Sequence, residues 1–456
     1  MSSNPLLLVI FGISGDLAKR KLMPALYRLI EQAGMPQEFK IIGISRQADY
    51  SVDTLFTHIN EFLKEPNSYQ LDFLKDHTTI VHNGLQTTED AESLRNTLEQ
   101  ESQQLGSGTQ RIYYLSIPPA AFPQLMQLLG DTSHNTPFAN EFNAPRLLVE
   151  KPFGYDSESA AALIASAHTS FSESQIYRID HYLAKETAQN ILAFRFKNSL
   201  FESIWNDRHI ADITIVAHEQ IDIEGRANFY EQTGALRDII QSHLIQLLAL
   251  VMMEEPTELT SPAIHNKKLE LLQAIAPANP KYAVRGQYDG YREAVSNPNS
   301  STETFARVAL HVDSEQWRNT TIMLETGKAL DQKATFVQVT FRAHDADGAK
   351  PNILTFELQP NEGISLELQA KQPGLANDTQ PVRMEFDYGR SFDTPTAEAY
   401  ERVIMDAIRG DQTLFASGEE IMAAWRAVDP VLHDWINNGQ QGIRLYKKGD
   451  HAASVQ

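Results

Sequence analysis

The sequence contains no cysteine, which removes disulfides, thiolate zinc sites, iron-sulfur clusters and a cysteine nucleophile together. Positive charge is scarce: 39 Lys and Arg stand against 59 Asp and Glu, for a net charge of -20. Such a surface repels nucleic acid and anionic membrane over most of its extent, so a phosphate group would have to be met in a local basic pocket. Long apolar runs are missing as well. The segment Leu6–Phe11 has no positive charge before it and no small-residue cleavage pattern after it, unlike a signal peptide. The stretch 247–253 falls far short of the roughly 20 residues that span a bilayer. The expectation is a cytoplasmic protein with neither nucleic acid nor membrane as a partner.

What is present is a globular composition, 42% hydrophobic and 21% charged, over 456 residues. Domains run to roughly 100 to 200 residues, so two or three are expected. The first third alternates short apolar runs with helical patterns. Leu6–Phe11 reads as a buried strand, 16–33 repeats apolar residues at Leu22, Leu26, Leu29 and Ile30, and 40–45 reads as the next strand. Strand candidates at 111–117 and 146–150 extend this βαβ unit into a mostly parallel sheet covered by helices. Beyond about residue 300 the period becomes two: Val337, Val339 and Phe341, then Leu354, Phe356 and Leu358, then Leu366 and Leu368 alternate with polar residues. Such strands bury one face, as in an open antiparallel sheet. Helices are expected at 236–253, 396–409 and 419–435, a loop or insertion at 277–302, and fraying over the last ten residues.

Chemistry-bearing residues cluster in four places. The first follows the opening strand, where Gly12-Ile13-Ser14-Gly15-Asp16-Leu17-Ala18 places small residues at a strand-to-helix turn. There a pyrophosphate can reach unpaired amides at the positive end of a helix. The spacing departs from GxGxxG, and a ligand-free turn has the same appearance. Arg46 ends the second strand, where folds that take NAD usually carry an acid; an arginine suits a 2′-phosphate, or is a solvated strand end. Pro118-Pro119 closes another strand as a rigid loop beside a nicotinamide or as an ordinary turn.

The second place is Glu150-Lys151-Pro152-Phe153-Gly154, at a strand end in the same domain; Lys151 points to the cofactor cleft or is a surface lysine. The third is 178–186, RIDHYLAKE. If it is helical from Tyr182, His181 and Lys185 share a face as donors to a phosphate, while Asp180 could orient a distant imidazole. A capped, charged helix start reads the same way. The fourth gathers Glu219, Glu224-Gly225-Arg226, Arg237-Asp238 and His243. His243 shares a buried stripe with Ile240 and Leu247, so it is a core residue unless a carboxylate joins it, and Asp180 has the right chemistry. Lys328 and Lys333 flank a turn between alternating strands.

Taken in order, GISGDLAKRKLMPALYRL, VEKPFG, RIDHYLAKE, the EGR to RDIIQSHL stretch, GKALDQK, QPNEGI and EAYERVIMDAIRGDQTLF resemble the glucose-6-phosphate 1-dehydrogenase family from about residue 6 to about residue 440. The resemblance implies an α/β Rossmann-like N-terminal domain, placed at 1–178, and a larger α+β C-terminal domain with a mainly antiparallel open sheet, placed at 179–456. It implies His243 as the base, with Asp180 as its orienting carboxylate. His181, Tyr182 and Lys185 would hold the sugar phosphate, Glu219 and Asp238 the sugar hydroxyls, and Lys151 both substrate and cofactor. Lys328 and Lys333 match the later substrate-binding pair. The cofactor site falls to Gly12, Ser14, Gly15, Asp16, Leu17, Arg46, Pro118 and Lys151, with NADP expected, NAD as an alternative acceptor and no metal. A homodimer or homotetramer is the implied assembly.

The chain departs from the family pattern at Ala184, Ser242 and Ala227-Asn228. None is a proposed catalytic group, so these bear on efficiency and sugar preference. The extended region that forms an additional structural NADP site in some animal members has no clear counterpart, and none is expected. Two other readings remain at this point: a dehydrogenase of similar design for another phosphorylated or acidic sugar, and a non-catalytic nucleotide-binding relative.

Overall fold

The computed structural model describes residues 4–84, 87–118, 121–126, 129, 144–343, 350–392 and 397–455. The chain divides into two compact units: Met1–Gly154, Glu158–Ala184 and Ala397–Gly418 form the first, and Tyr155–Ser157, Lys185–Thr396 and Glu419–Gln456 the second. A single cut after residue 178 therefore does not describe the division. The segment Ala397–Gly418 returns to the first unit because its helix, Ala399–Arg409, is strongly amphipathic and buries Val403, Ile404, Ala407 and Ile408 in that unit's core.

The first unit is a seven-stranded sheet. Its strands are β1 (Leu6–Phe11), β2 (Phe39–Ser45), β3 (Thr78–His82), β4 (Gln110–Leu115), β5 (Arg146–Val149), β6 (Ile176–Ile179) and the late β15 (Phe415–Ala416). The order is β15-β6-β5-β4-β1-β2-β3, parallel except for β15. This is a doubly wound sheet, whose direction of strand order reverses at β1 and β4. The uninterrupted apolar run of β1 has its cause here: Leu6, Leu8 and Ile10 pack on one face of the sheet and Leu7, Val9 and Phe11 on the other.

The second unit is a nine-stranded sheet. Its strands are β7 (Ile210–His218), β8 (Ala283–Tyr288), β9 (Phe305–Leu310), β10 (Thr321–Gly327), β11 (Ala334–Phe341), β12 (Ile353–Gln359), β13 (Gly363–Lys371), β14 (Thr379–Asp387) and β16 (Ile443–Tyr446). Their order is β14-β13-β12-β11-β7-β10-β9-β8-β16, antiparallel except that β7 pairs parallel to β10 and β8 to β16. One face buries Ile213, Ile215, Ile322, Leu324, Val337, Val339, Leu354 and Phe356, and Phe194, on the helix Glu186–Lys197, meets Phe356 edge-on. The helical run Ala227–Met252 is long and apolar enough to cross a membrane, yet 89% of its most apolar window is buried within the protein, as in a core helix.

Two expectations fail in this unit. The stretch 277–302 contains β8, a strand with neighbours on both sides. Its polar residues hid it. Arg285 is buried and donates to the carbonyls of Trp435 (2.8 Å) and Gln441 (2.6 Å), and Gln287 donates to that of Thr302 (2.9 Å), so their burial is compensated. The last ten residues do not fray among those described. The Asp331 amide donates to the Asp450 carbonyl (3.1 Å), the Gly449 amide to that of Ala329 (2.8 Å), and Ala452 and Val455 are buried.

Candidate active site

In the first unit, the groups singled out from the sequence stand at the carboxyl ends of five neighbouring strands, where open α/β sheets bind ligands. Arg46 follows β2 and is exposed; the turn 12–18 follows β1; Pro118 follows β4; Lys151 follows β5; Asp180, His181 and Tyr182 follow β6. Pro119 lies outside the described residues.

The glycine turn has a local cause. Gly12 adopts φ +83°, and a Cβ there would meet the Ser116 carbonyl oxygen at 2.3 Å. Only glycine fits where β1 and β4 end side by side. The Gly15 amide donates to the Gly12 carbonyl (2.9 Å), and Gly43 in β2 leaves room for Ile13, whose side chain would lie 2.7 Å from a Cβ at that position. The helix that follows opens as a π-turn, Ala18–Leu22, before Met23–Glu31. Small residues at 12 and 15 and a helix start facing the edge of the sheet fit a dinucleotide pyrophosphate.

Lys151 has a neighbour that sequence reasoning quoted but gave no role. The carboxylate of Glu150 accepts hydrogen bonds from the phenols of Tyr114 and Tyr400. Removal from water raises it to about 7, against the lowering effects of Tyr114, Lys151 and Tyr400. The signal lay in the adjacency of Glu150 and Lys151; the tyrosines come from β4 and from the returning segment.

After β6 the chain turns instead of entering a helix. Asp180 is buried and accepts the Tyr182 amide at 2.8 Å, residues 181–184 are turn, and the helix begins at Glu186 with Lys185 extended as its N-cap. A shared helical face for His181 and Lys185 is therefore not the arrangement, because Asp180 takes the turn amide with its own side chain. Ala184, a departure position, packs in the core of the first unit.

In the second unit, Glu219, Lys328 and Lys333 stand at one end of three adjacent strands, since His218 of β7 pairs with Gly327 of β10 and with Ala334 of β11. Lys328 donates to the Glu219 carboxylate, and its ammonium lies 5.2 Å from the ring centre of Tyr230. Lys185 is lowered to about 8, first by burial and further by Lys333, while Glu362 opposes the shift. Lys185 is half-buried and Lys333 exposed, so the two like charges oppose each other at this end of the sheet.

Asp238 and His243 lie on the π-helix Leu236–Leu244 and are buried. That helix has an uncommon start. Gly234 takes φ +64°, and a Cβ there would come within 2.5 Å of a Glu303 carboxylate oxygen. Glu303 accepts the Leu236 amide at 2.8 Å and so caps the helix from the stretch just before β9. Ser242 donates to the Asp238 carbonyl at 2.5 Å, so its hydroxyl is spent within the helix. Burial, then the negative charges of Asp238, Glu303, Tyr446 and Glu219, push the Tyr230 phenol well above its ordinary range.

Residues 9–190 match the family described as glucose-6-phosphate dehydrogenase, NAD binding domain, and residues 192–455 match glucose-6-phosphate dehydrogenase, C-terminal domain. The chain belongs to the glucose-6-phosphate dehydrogenase family. It is 36% identical over 462 residues to a glucose-6-phosphate 1-dehydrogenase of Chlamydia muridarum, covering 94% of this chain and 90% of that one. It is 36% identical over 463 residues to glucose-6-phosphate 1-dehydrogenase 5, cytoplasmic, of Arabidopsis thaliana, covering 98% and 89%. A glucose-6-phosphate dehydrogenase solved in complex with its substrate glucose 6-phosphate superposes with a TM-score of 0.92 at 30% identity, covering 99% of this chain and 96% of that one. Membership in the glucose-6-phosphate dehydrogenase family accounts for both units: the doubly wound sheet is the nucleotide-binding part, and the mainly antiparallel sheet is the larger C-terminal part.

Proposed function

We propose that this chain oxidises D-glucose 6-phosphate at the anomeric carbon to 6-phospho-D-glucono-1,5-lactone, with NADP as preferred hydride acceptor, the oxidative entry to the pentose phosphate pathway. The observation that carries the reading is the family match over both units in a chain that keeps Asp180 and His243.

The anomeric hydroxyl must lose its proton as hydride leaves the adjacent carbon. A neutral imidazole at His243 is the natural acceptor, and the Asp180 carboxylate on the other ring nitrogen would fix the tautomer and stabilise the cation that forms. His181, Tyr182 and Lys185 hold the phosphate, and Lys328 and Lys333 are the later pair of substrate ligands. Glu219 and Asp238 accept sugar hydroxyls, and Lys151 serves both substrate and cofactor. The bound nicotinamide supplies the hydride-accepting carbon. Gly12, Ser14, Gly15, Asp16 and Leu17 form its pyrophosphate turn, Pro118 borders its ring, and Arg46 pairs with the 2′-phosphate. These acid-base groups account for the proton, so the proposal invokes no metal. A cytoplasmic homodimer or homotetramer completes the reading.

The test is the rise of reduced-nicotinamide absorbance with glucose 6-phosphate and each cofactor in turn. Turnover with NADP well above that with NAD supports the proposal; turnover only with a different sugar phosphate would replace its substrate.

A further inference from the structure

Lys328 is rooted by an arrangement that no single motif contains. Thr304, fully buried just before β9, donates its amide to the Gly286 carbonyl at 2.8 Å and accepts the Lys328 amide on its own carbonyl at 2.9 Å. Its hydroxyl oxygen accepts the Tyr288 amide at 3.0 Å and lies 2.8 Å from the phenol oxygen of Tyr446. That phenol donates to the Lys328 carbonyl at 2.7 Å. The proton count sets the direction. A carbonyl only accepts and a phenol has one proton, so Tyr446 spends its proton on Lys328 and the Thr304 hydroxyl must donate to Tyr446. Both backbone polar groups of Lys328 are thus held through one threonine, directly on the N–H and by relay on the C=O.

The far end of the same side chain meets Glu219 and the Tyr230 ring. A lysine is a compact charge on a flexible four-carbon stem, so where the stem is rooted decides where the charge can reach. Buried hydrogen-bond chains polarise one another and rigidify what they hold. Burial keeps the Tyr446 phenol above its ordinary range, so the relay does not open by deprotonation at neutral pH.

We propose that Thr304 and Tyr446 are positioning residues for substrate binding, setting the Lys328 ammonium through the relay Thr304 O–H to Tyr446 O–H to the Lys328 carbonyl. This rests on the reading of Lys328 as a sugar-phosphate ligand. Neither residue needs to touch the substrate, and neither changes the charge of the site when its hydroxyl is removed.

The experiment compares Thr304→Val, Thr304→Ser, Tyr446→Phe, the valine-phenylalanine double variant and Lys328→Ala, measuring kcat, KM for glucose 6-phosphate, KM for NADP and Tm. Thr304→Val and Tyr446→Phe should each raise KM for glucose 6-phosphate roughly three- to tenfold, leaving kcat and KM for NADP unchanged. Serine, which keeps the donor, should restore it. The double variant should be no worse than the poorer single, because one chain is broken twice. If Lys328→Ala raises KM for glucose 6-phosphate but the relay variants do not, or if they raise both KM values alike, the relay is overturned while the assignment of Lys328 stands. If Lys328→Ala leaves KM unchanged, the assignment itself fails and takes the relay with it. Should Thr304→Val not fold, Tyr446→Phe decides alone, since it removes one oxygen and leaves the packing in place.

Discussion

In the first unit the binding groups line up along one sheet edge and rest on backbone geometry. In the second they are drawn from stretches between Lys185 and Tyr446 and rest on a half-buried ion pair and on hydrogen bonds. At Gly12 the backbone itself leaves no room for a Cβ, so the turn is specified by what is absent. Around Lys328 and His243 the elements are held by side chains from elsewhere in the chain: Glu219 on the Lys328 ammonium, Glu303 on the helix of His243, Tyr446 on the lysine loop. The difference teaches where function should be separable from fold. Side-chain deletions in the second unit should divide substrate use from cofactor use, whereas the turn of the first tolerates little change of any kind.

The sharpest division is expected at Lys185. Its replacement by alanine should lower kcat/KM for glucose 6-phosphate by roughly a hundredfold or more, the scale of losing a charge-assisted contact to the phosphate, and should leave free glucose, already a very poor substrate, and KM for NADP nearly unchanged. Because the Lys185 amine is lowered to about 8 and only its cation grips a phosphate, KM for glucose 6-phosphate should rise as pH passes above about 8. Lys185→Arg should remove that rise. Equal damage to glucose and glucose 6-phosphate would make Lys185 a structural N-cap.

A second variant approaches the comparison from the cofactor side. Arg46→Ala should raise KM for NADP by roughly one to two orders of magnitude, about 1.5 to 3 kcal/mol, with NAD nearly unaffected. An equal loss with both cofactors would remove Arg46 from the 2′-phosphate.

The smallest effect concerns stability. Glu150 holds its proton up to about 7 in the folded chain against 4.5 as its ordinary value, so the folded state binds the extra proton between those values. Folding stability should therefore decline as pH rises through that window and level off above it. Thermal melts of Glu150→Gln against the parent chain should show the slope flattened; an identical slope would place the titration elsewhere.

Legibility followed the same contrast between the units. The turn 12–18 could be read because seven adjacent residues carry it, and the alternating strands β11 and β12 because one face is buried along their length. His243 was visible as a candidate on an apolar stripe, but Glu303, which caps its helix, lies 67 residues beyond the amide it accepts. Thr304 and Tyr446 are 142 residues apart in sequence and carry no motif. Strand β8 was hidden because its arginine and glutamine are buried with partners supplied from distant stretches. A helix from Tyr182 is compatible with the sequence of this segment, and it is the Asp180 side chain, satisfying the Tyr182 amide, that goes with a turn at 181–184 instead.

The central claim is that His243 is the base of a sugar-phosphate dehydrogenase and not a buried core histidine. The most direct measurement is the turnover of His243→Asn alongside its melting temperature and its affinity for glucose 6-phosphate. General-base catalysis is typically worth on the order of 10² to 10⁴ in rate, so kcat should fall at least about a hundredfold while melting and binding stay close to those of the parent chain. A variant that unfolds, or that folds well and keeps most of its turnover, would contradict the claim and move the search for the base to Lys151.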